Sequence, residues 1–221
     1  MNFYKNKTLF TVINATIIIL ITGFVYYIQR DNRKDNHPPI FTLKEYKEIS
    51  TPTPNYDSTR TNEVIGVVLH HTAEPTVDKS LAILTSTQKK VGTHVVIDTD
   101  GTRYIMAEPT VPTYHAGRSI LNGREGCNYC TIGIEFQGNT LVAPLTEDQI
   151  LSGIDYLLPL IEKYNIPIEN IVTHEMVRTA YMQKYPQKRC SPKVDITQKE
   201  YRRFIKVLKW RLVIENYEKG N

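Results

Sequence analysis

Ile65-Gly66-Val67-Val68-Leu69-His70-His71 is an apolar run that ends in two imidazoles. Its length and its β-branched residues read as a buried strand delivering polar groups at its end. Neighbouring strand residues point to opposite faces, so His70 and His71 do not easily serve one site. A second apolar strand, Ile171-Val172-Thr173, ends in His174. Two histidines, each where a strand meets a loop, suit a metal pair, although either could be a purely structural hydrogen-bonding group.

Outward from this stretch the pattern is mixed α/β. Val77 to Val91 places Val77, Leu81, Leu84 and Val91 at helical spacing. His94 to Asp98 and Thr102 to Met106 flank Thr99-Asp100-Gly101 as a hairpin. In Thr131 to Gln137 the alternation puts Ile132, Ile134 and Phe136 on one face and Gly133 and Glu135 on the other. Thr146 and Gln149 form a capping box for a helix reaching Tyr164, with a kink or break expected at Pro159. Thr197 and Glu200 cap a final helix carrying Phe204, Val207, Leu208 and Leu212.

The chain has 221 residues and a formal charge of +4, enough for one domain and too mild to argue for nucleic acid. Residues 1–8 form a short tail. Residues 9–28 contain no charged residue and are long enough to span a bilayer as an uncleaved anchor. Residues 29–62, with Pro38, Pro39, Pro52 and Pro54, read as a linker, in which Leu43 to Ile49 could form a short helix. Residues 63–221 form the globular domain. Cys127, Cys130 and Cys190 are too few for a disulfide framework.

Zinc catalysis uses about three protein ligands with one position left open, and a carboxylate nearby as general base. Glu135, turned away from the apolar face of its strand, is the candidate base; a solvated strand glutamate is the alternative.

Five segments in order carry a resemblance: Ile65 to Ala73, Thr93 to Thr102, Tyr114 to Ser119, Cys127-Asn128 with Ile132 to Gly138, and Ile171 to His174. Together they resemble the type 2 N-acetylmuramoyl-L-alanine amidases, related to T7 lysozyme and the peptidoglycan recognition proteins, and most nearly the AmpD-type branch. The resemblance implies a central mixed β-sheet flanked by helices. It implies Zn2+ as cofactor, peptidoglycan or a muropeptide as partner, and hydrolysis of the amide between N-acetylmuramic acid and L-alanine. Residue by residue, it implies His70 and His174 as metal ligands, Glu135 as the catalytic glutamate, and His115 and Asn128 as substrate-binding residues.

The third ligand departs from the family pattern of Lys-x-Asp or Lys-x-Cys before Pro-Gly. Lys193-Val194-Asp195 has the spacing but is followed by Ile196-Thr197. Lys188-Arg189-Cys190 also has it, with Ser191 intervening before Pro192. Asp195 with Lys193 as catalytic lysine is preferred, and Cys190 with Lys188 is the alternative. Thr93 stands where some relatives carry a catalytic tyrosine. The chain is expected to be a monomer with its domain outside the membrane. A non-catalytic peptidoglycan receptor is the rival reading.

Overall fold

The computed structural model describes residues 44–219 except Arg189, Pro192 and Val194, and the side chains only as far as Glu215. The expected anchor at residues 9–28 lies outside the described residues. Among those described, no helix is long and apolar enough to cross a membrane.

The stretch around Val67 is strand β2 (Gly66–His71), every residue of it buried. It lies between β7 (Thr131–Phe136) and β8 (Ile171–Thr173), parallel to both. With β1 (Glu48–Ser50), β3 (Val95–Ile97) and β4 (Arg103–Ile105), they form a six-stranded mixed sheet in the order β1-β4-β3-β7-β2-β8. Only the β3–β4 hairpin is antiparallel. A strand with a neighbour on each side can be hydrophobic throughout, which is why β2 reads as a continuous run.

Register assigns the two faces. One carries Val67, Leu69, Val95, Ile97, Ile132, Ile134, Phe136 and Ile171, packed with Ile154 and Leu157 of α2 (Glu147–Tyr164) and Phe204 and Leu208 of α4 (Gln198–Lys219). Each such fully buried side chain contributes on the order of 1.5–3 kcal/mol. The other face is covered in part by α1 (Val77–Leu84), through Leu84 on Val96. Val177 of α3 (His174–Lys184) covers another part, packing with Val68 and Val172. A small hairpin, β5 (Ile120–Leu121) and β6 (Arg124–Glu125), turns through Asn122 and Gly123, both at positive φ. Asn-Gly is the dipeptide that this turn favours.

Three expectations are corrected. The segment from Tyr46 to Asn62 belongs to the compact unit instead of linking to it. Ile49 sits in an edge strand paired with β4, and Tyr46, Thr53, Asn55 and Asn62 are buried. Helix α1 stops at Leu84 and does not run to Val91. There the Asn55 amide donates to the carbonyls of Leu84 (2.9 Å) and Ser86 (3.0 Å), and Thr53 Oγ1 donates to that of Leu84 (2.6 Å). This segment supplies the partners that a further helical turn would have supplied. Helix α2 continues through Pro159, because apolar contacts on both sides of it, Leu157, Leu158 and Ile161, hold it to the sheet.

Candidate active site

β2, β7 and β8 run in one direction, so their carboxyl ends lie together, the usual address of a site in an α/β sheet. His70 is the penultimate residue of β2, and His174 opens α3 directly after β8. Thr173 caps that helix by accepting from the Met176 amide, which fixes where His174 leaves the strand. His70 Nδ1 and His174 Nδ1 lie 2.8 and 2.9 Å from the same oxygen, Oδ2 of Asp195. Among the described residues these three form the one group spaced to hold a metal ion, with ligand atoms within 4.8 Å of one another. Cys190 stands outside it, 3.7 Å from Arg118 Nη1, and Lys188 lies over the Tyr185 ring.

The protonation of His174 tests whether a cation fits. Its Nε2 lies 3.1 Å from the Ala116 carbonyl oxygen, which can only accept, so Nε2 carries the proton. In the neutral ring Nδ1 is then a lone pair aimed at a carboxylate oxygen. Two acceptors face each other, and a cation between them turns repulsion into attraction. Two imidazole nitrogens and one carboxylate suit zinc.

Asp195 remains ionised. Burial opposes its charge, but positive charge beside Oδ2, here a proton on either imidazole, outweighs burial and holds the carboxyl far below the usual carboxylate range; a bound cation would take the place of that proton. Burial pushes His70 the other way, towards the neutral ring that a ligand must be. Thr140 holds the Asp195 strand: its hydroxyl donates to the Asp195 carbonyl (3.0 Å) while accepting from the Thr197 amide (2.9 Å). The Thr140 amide donates to His71 Nδ1 (3.1 Å). His71 thus faces away from the cluster and braces the segment that bears Asp195.

Glu135 is in register with His70 across the β2–β7 pair, so both side chains leave the same face. Its Oε2 is shielded from solvent and has no hydrogen-bond partner among the described residues. Burial, reinforced by Asp195 and opposed by Lys193, raises its carboxyl well above the ordinary range. The positive charge of the exposed Lys193 thus acts on both Glu135 and His70.

Two residues expected at the substrate have protein partners beside the cluster. His115 is buried, with Nδ1 3.2 Å from His70 Nε2 and Nε2 3.3 Å from Thr131 Oγ1. The Asn128 carboxamide oxygen accepts from the Ala116 and Gly117 amides, at 2.7 and 3.2 Å. It therefore shapes the loop whose Ala116 carbonyl orients His174. Thr93 is fully buried, and its hydroxyl donates to the Gly133 carbonyl at 2.9 Å. Thr131 and Thr140 were not singled out by the sequence, because a threonine at a strand start or in a loop carries no signal until its neighbours are known.

A sheet end that gathers two imidazoles and two carboxylates holds the groups that a metal-dependent hydrolase uses. The chain belongs to the N-acetylmuramoyl-L-alanine amidase family, whose sequence model matches residues 60–211. It is an amidase acting on an amide bond of peptidoglycan. Among solved structures, a selenomethionine derivative of AmpD is similar with a TM-score of 0.55 at 22% identity, covering 74% of this chain and 96% of that one. An endolysin mutant from Bacillus subtilis follows at 0.53 and 18% (74% and 99% covered). The PlyG catalytic domain gives 0.51 and 17% (75% and 94% covered). At these identities the likeness is one of fold. No curated protein matches the chain.

Proposed function

We propose that the chain binds Zn2+ through His70, His174 and Asp195 and hydrolyses the amide joining N-acetylmuramic acid to L-alanine. The observation that carries this reading is the shielded, unpartnered Oε2 of Glu135 abreast of a cluster that suits a divalent ion. Zinc, when bound, supplies a Lewis acid that polarises the scissile carbonyl and acidifies water. Glu135 accepts the proton of the attacking water at Oε2 and passes it to the departing amine of L-alanine. The high proton affinity of its buried carboxyl suits both halves of that transfer. Lys193, whose charge acts on Glu135 and His70, is assigned to stabilise the oxyanion that develops on the carbonyl oxygen.

The full-length chain, incubated with peptidoglycan, is expected to release stem peptides with a free L-alanine amino terminus. A chelator should abolish release and added zinc restore it. A zinc-free protein that retains wall fragments and releases no peptide would establish the receptor reading instead.

The domain acts as a monomer, tethered by residues 9–28 and lying outside the cytoplasmic membrane, where polymeric wall is found. The formal charge of +4 suits an anionic surface. A reporter fused after Asn221 should work only if it is of the exported kind; activity of a cytoplasmic reporter alone reverses this orientation.

A further inference from the structure

A chain of hydrogen bonds leads away from His70 on the side opposite Asp195, and its direction can be assigned atom by atom. It begins at the Cys127 carbonyl oxygen, which can only accept. The Thr131 hydroxyl donates to it at 2.6 Å, which uses the one proton of that hydroxyl. Thr131 Oγ1 can therefore only accept from His115 Nε2, 3.3 Å away, so His115 carries its proton on Nε2. Its Nδ1 is then a lone pair, and His70 Nε2, 3.2 Å distant, must be the donor. With its proton on Nε2, His70 presents the Nδ1 lone pair to the cluster.

The packing preserves this arrangement. Thr131 and His115 are buried, so no solvent competes for the chain. The His115 ring lies against Gly133, where an added Cβ would stand 2.6 Å from Cγ and 2.8 Å from Nδ1. Gly133 is fixed in turn, its amide donating to His94 Nδ1 at 2.9 Å and its carbonyl accepting from Thr93 Oγ1 at 2.9 Å. His94 donates through Nε2 to the Val111 carbonyl at 2.9 Å, so it too is held in one tautomer.

We infer that Thr131 and His115 are positioning residues for the metal centre: they fix the tautomer and ring orientation of His70 through a one-way hydrogen-bond chain that ends on the Cys127 carbonyl. The inference rests on the metal reading above. It gives His115 a role behind the ligand, away from substrate. It also gives Thr131, a residue with no acid–base chemistry of its own, a part in metal affinity. Partners of this kind behind a ligating histidine typically change metal affinity 10–100-fold.

The test uses the full-length chain as wild type, Thr131→Val and Thr131→Ser. Zinc affinity is read by competition with a chelating indicator, and 15N NMR of the histidine rings reads their tautomers. Thr131→Val keeps the shape of the side chain but removes the acceptor for His115 Nε2. It should weaken zinc binding about 10–100-fold and release His115 from its single tautomer. Thr131→Ser should restore both. Wild-type affinity in Thr131→Val overturns the inference while leaving the metal site standing. A wild-type chain that takes no zinc overturns the metal reading, and this inference with it. The wild-type spectrum depends on no substitution: His115 protonated on Nδ1 overturns the inference, whether or not Thr131→Val folds.

Discussion

Glu135→Gln is expected to lower the rate of peptide release by about 10²–10⁴-fold, the usual weight of a positioned general base, with zinc content unchanged. The amide is close to isosteric with the carboxylate but cannot accept the proton of water. The same substitution should stabilise the metal-free protein at neutral pH. Burial raises the carboxyl of Glu135 well above its ordinary range, so the folded chain holds a proton that the unfolded chain gives up above about pH 4.3. Where the native state binds more protons, stability falls as pH rises. Wild type should therefore lose stability from about pH 4.3 up to the raised folded value, and Glu135→Gln should not. Thermal unfolding of chelator-treated protein between pH 4 and 8 measures the difference, which should close towards pH 4. Equal melting of the two proteins at pH 8 would show that Glu135 is solvated. Equal peptide release would remove it from the chemistry.

The second large effect is expected at Asp195. Asp195→Ala deletes the oxygen that both imidazoles share, and zinc affinity should fall by well over the roughly 100-fold that bounds a supporting residue. Peptide release should fall with it. Asp195→Cys should recover most of the metal, since a thiolate is an equally acceptable zinc ligand. Cys190→Ser should change nothing, because Cys190 meets Arg118 and not the histidines. Loss of zinc in Cys190→Ser, with Asp195→Ala still loaded, would exchange the two assignments.

Much of this centre was legible in the sequence because it is built from strand ends. Apolar runs stop where the chain leaves the sheet, and His70 and His174 stand at such stops. The facing of Glu135 followed from alternation alone. Spacing could not choose between Asp195 and Cys190, since both lie two residues after a lysine. Thr140, which ties the Asp195 carbonyl to the loop after β7, helps bring Asp195 rather than Cys190 beside the two histidines. The His115 contacts were hidden for the same reason: they depend on the register of β2 against β7. Segments without periodicity misled. The stretch before Val64 is rich in proline and polar side chains, yet its threonine and asparagine end helix α1 and its Ile49 extends the sheet. Asn122-Gly123, by contrast, is a plain hairpin signal, and the chain turns there at positive φ.

The contact between His70 and Asp195 spans 125 positions along the chain. An ion held there acts as a clasp on a very long loop, joining the second strand of the domain to the threshold of its last helix. In the folded chain the two ends meet across a sheet to which β3, β4, β7 and β8, all lying between them in sequence, contribute. A chain still lacking Asp195 therefore lacks the complete group of three. Once closed, the clasp works against reopening, since whatever binds only the finished form shifts the balance towards it.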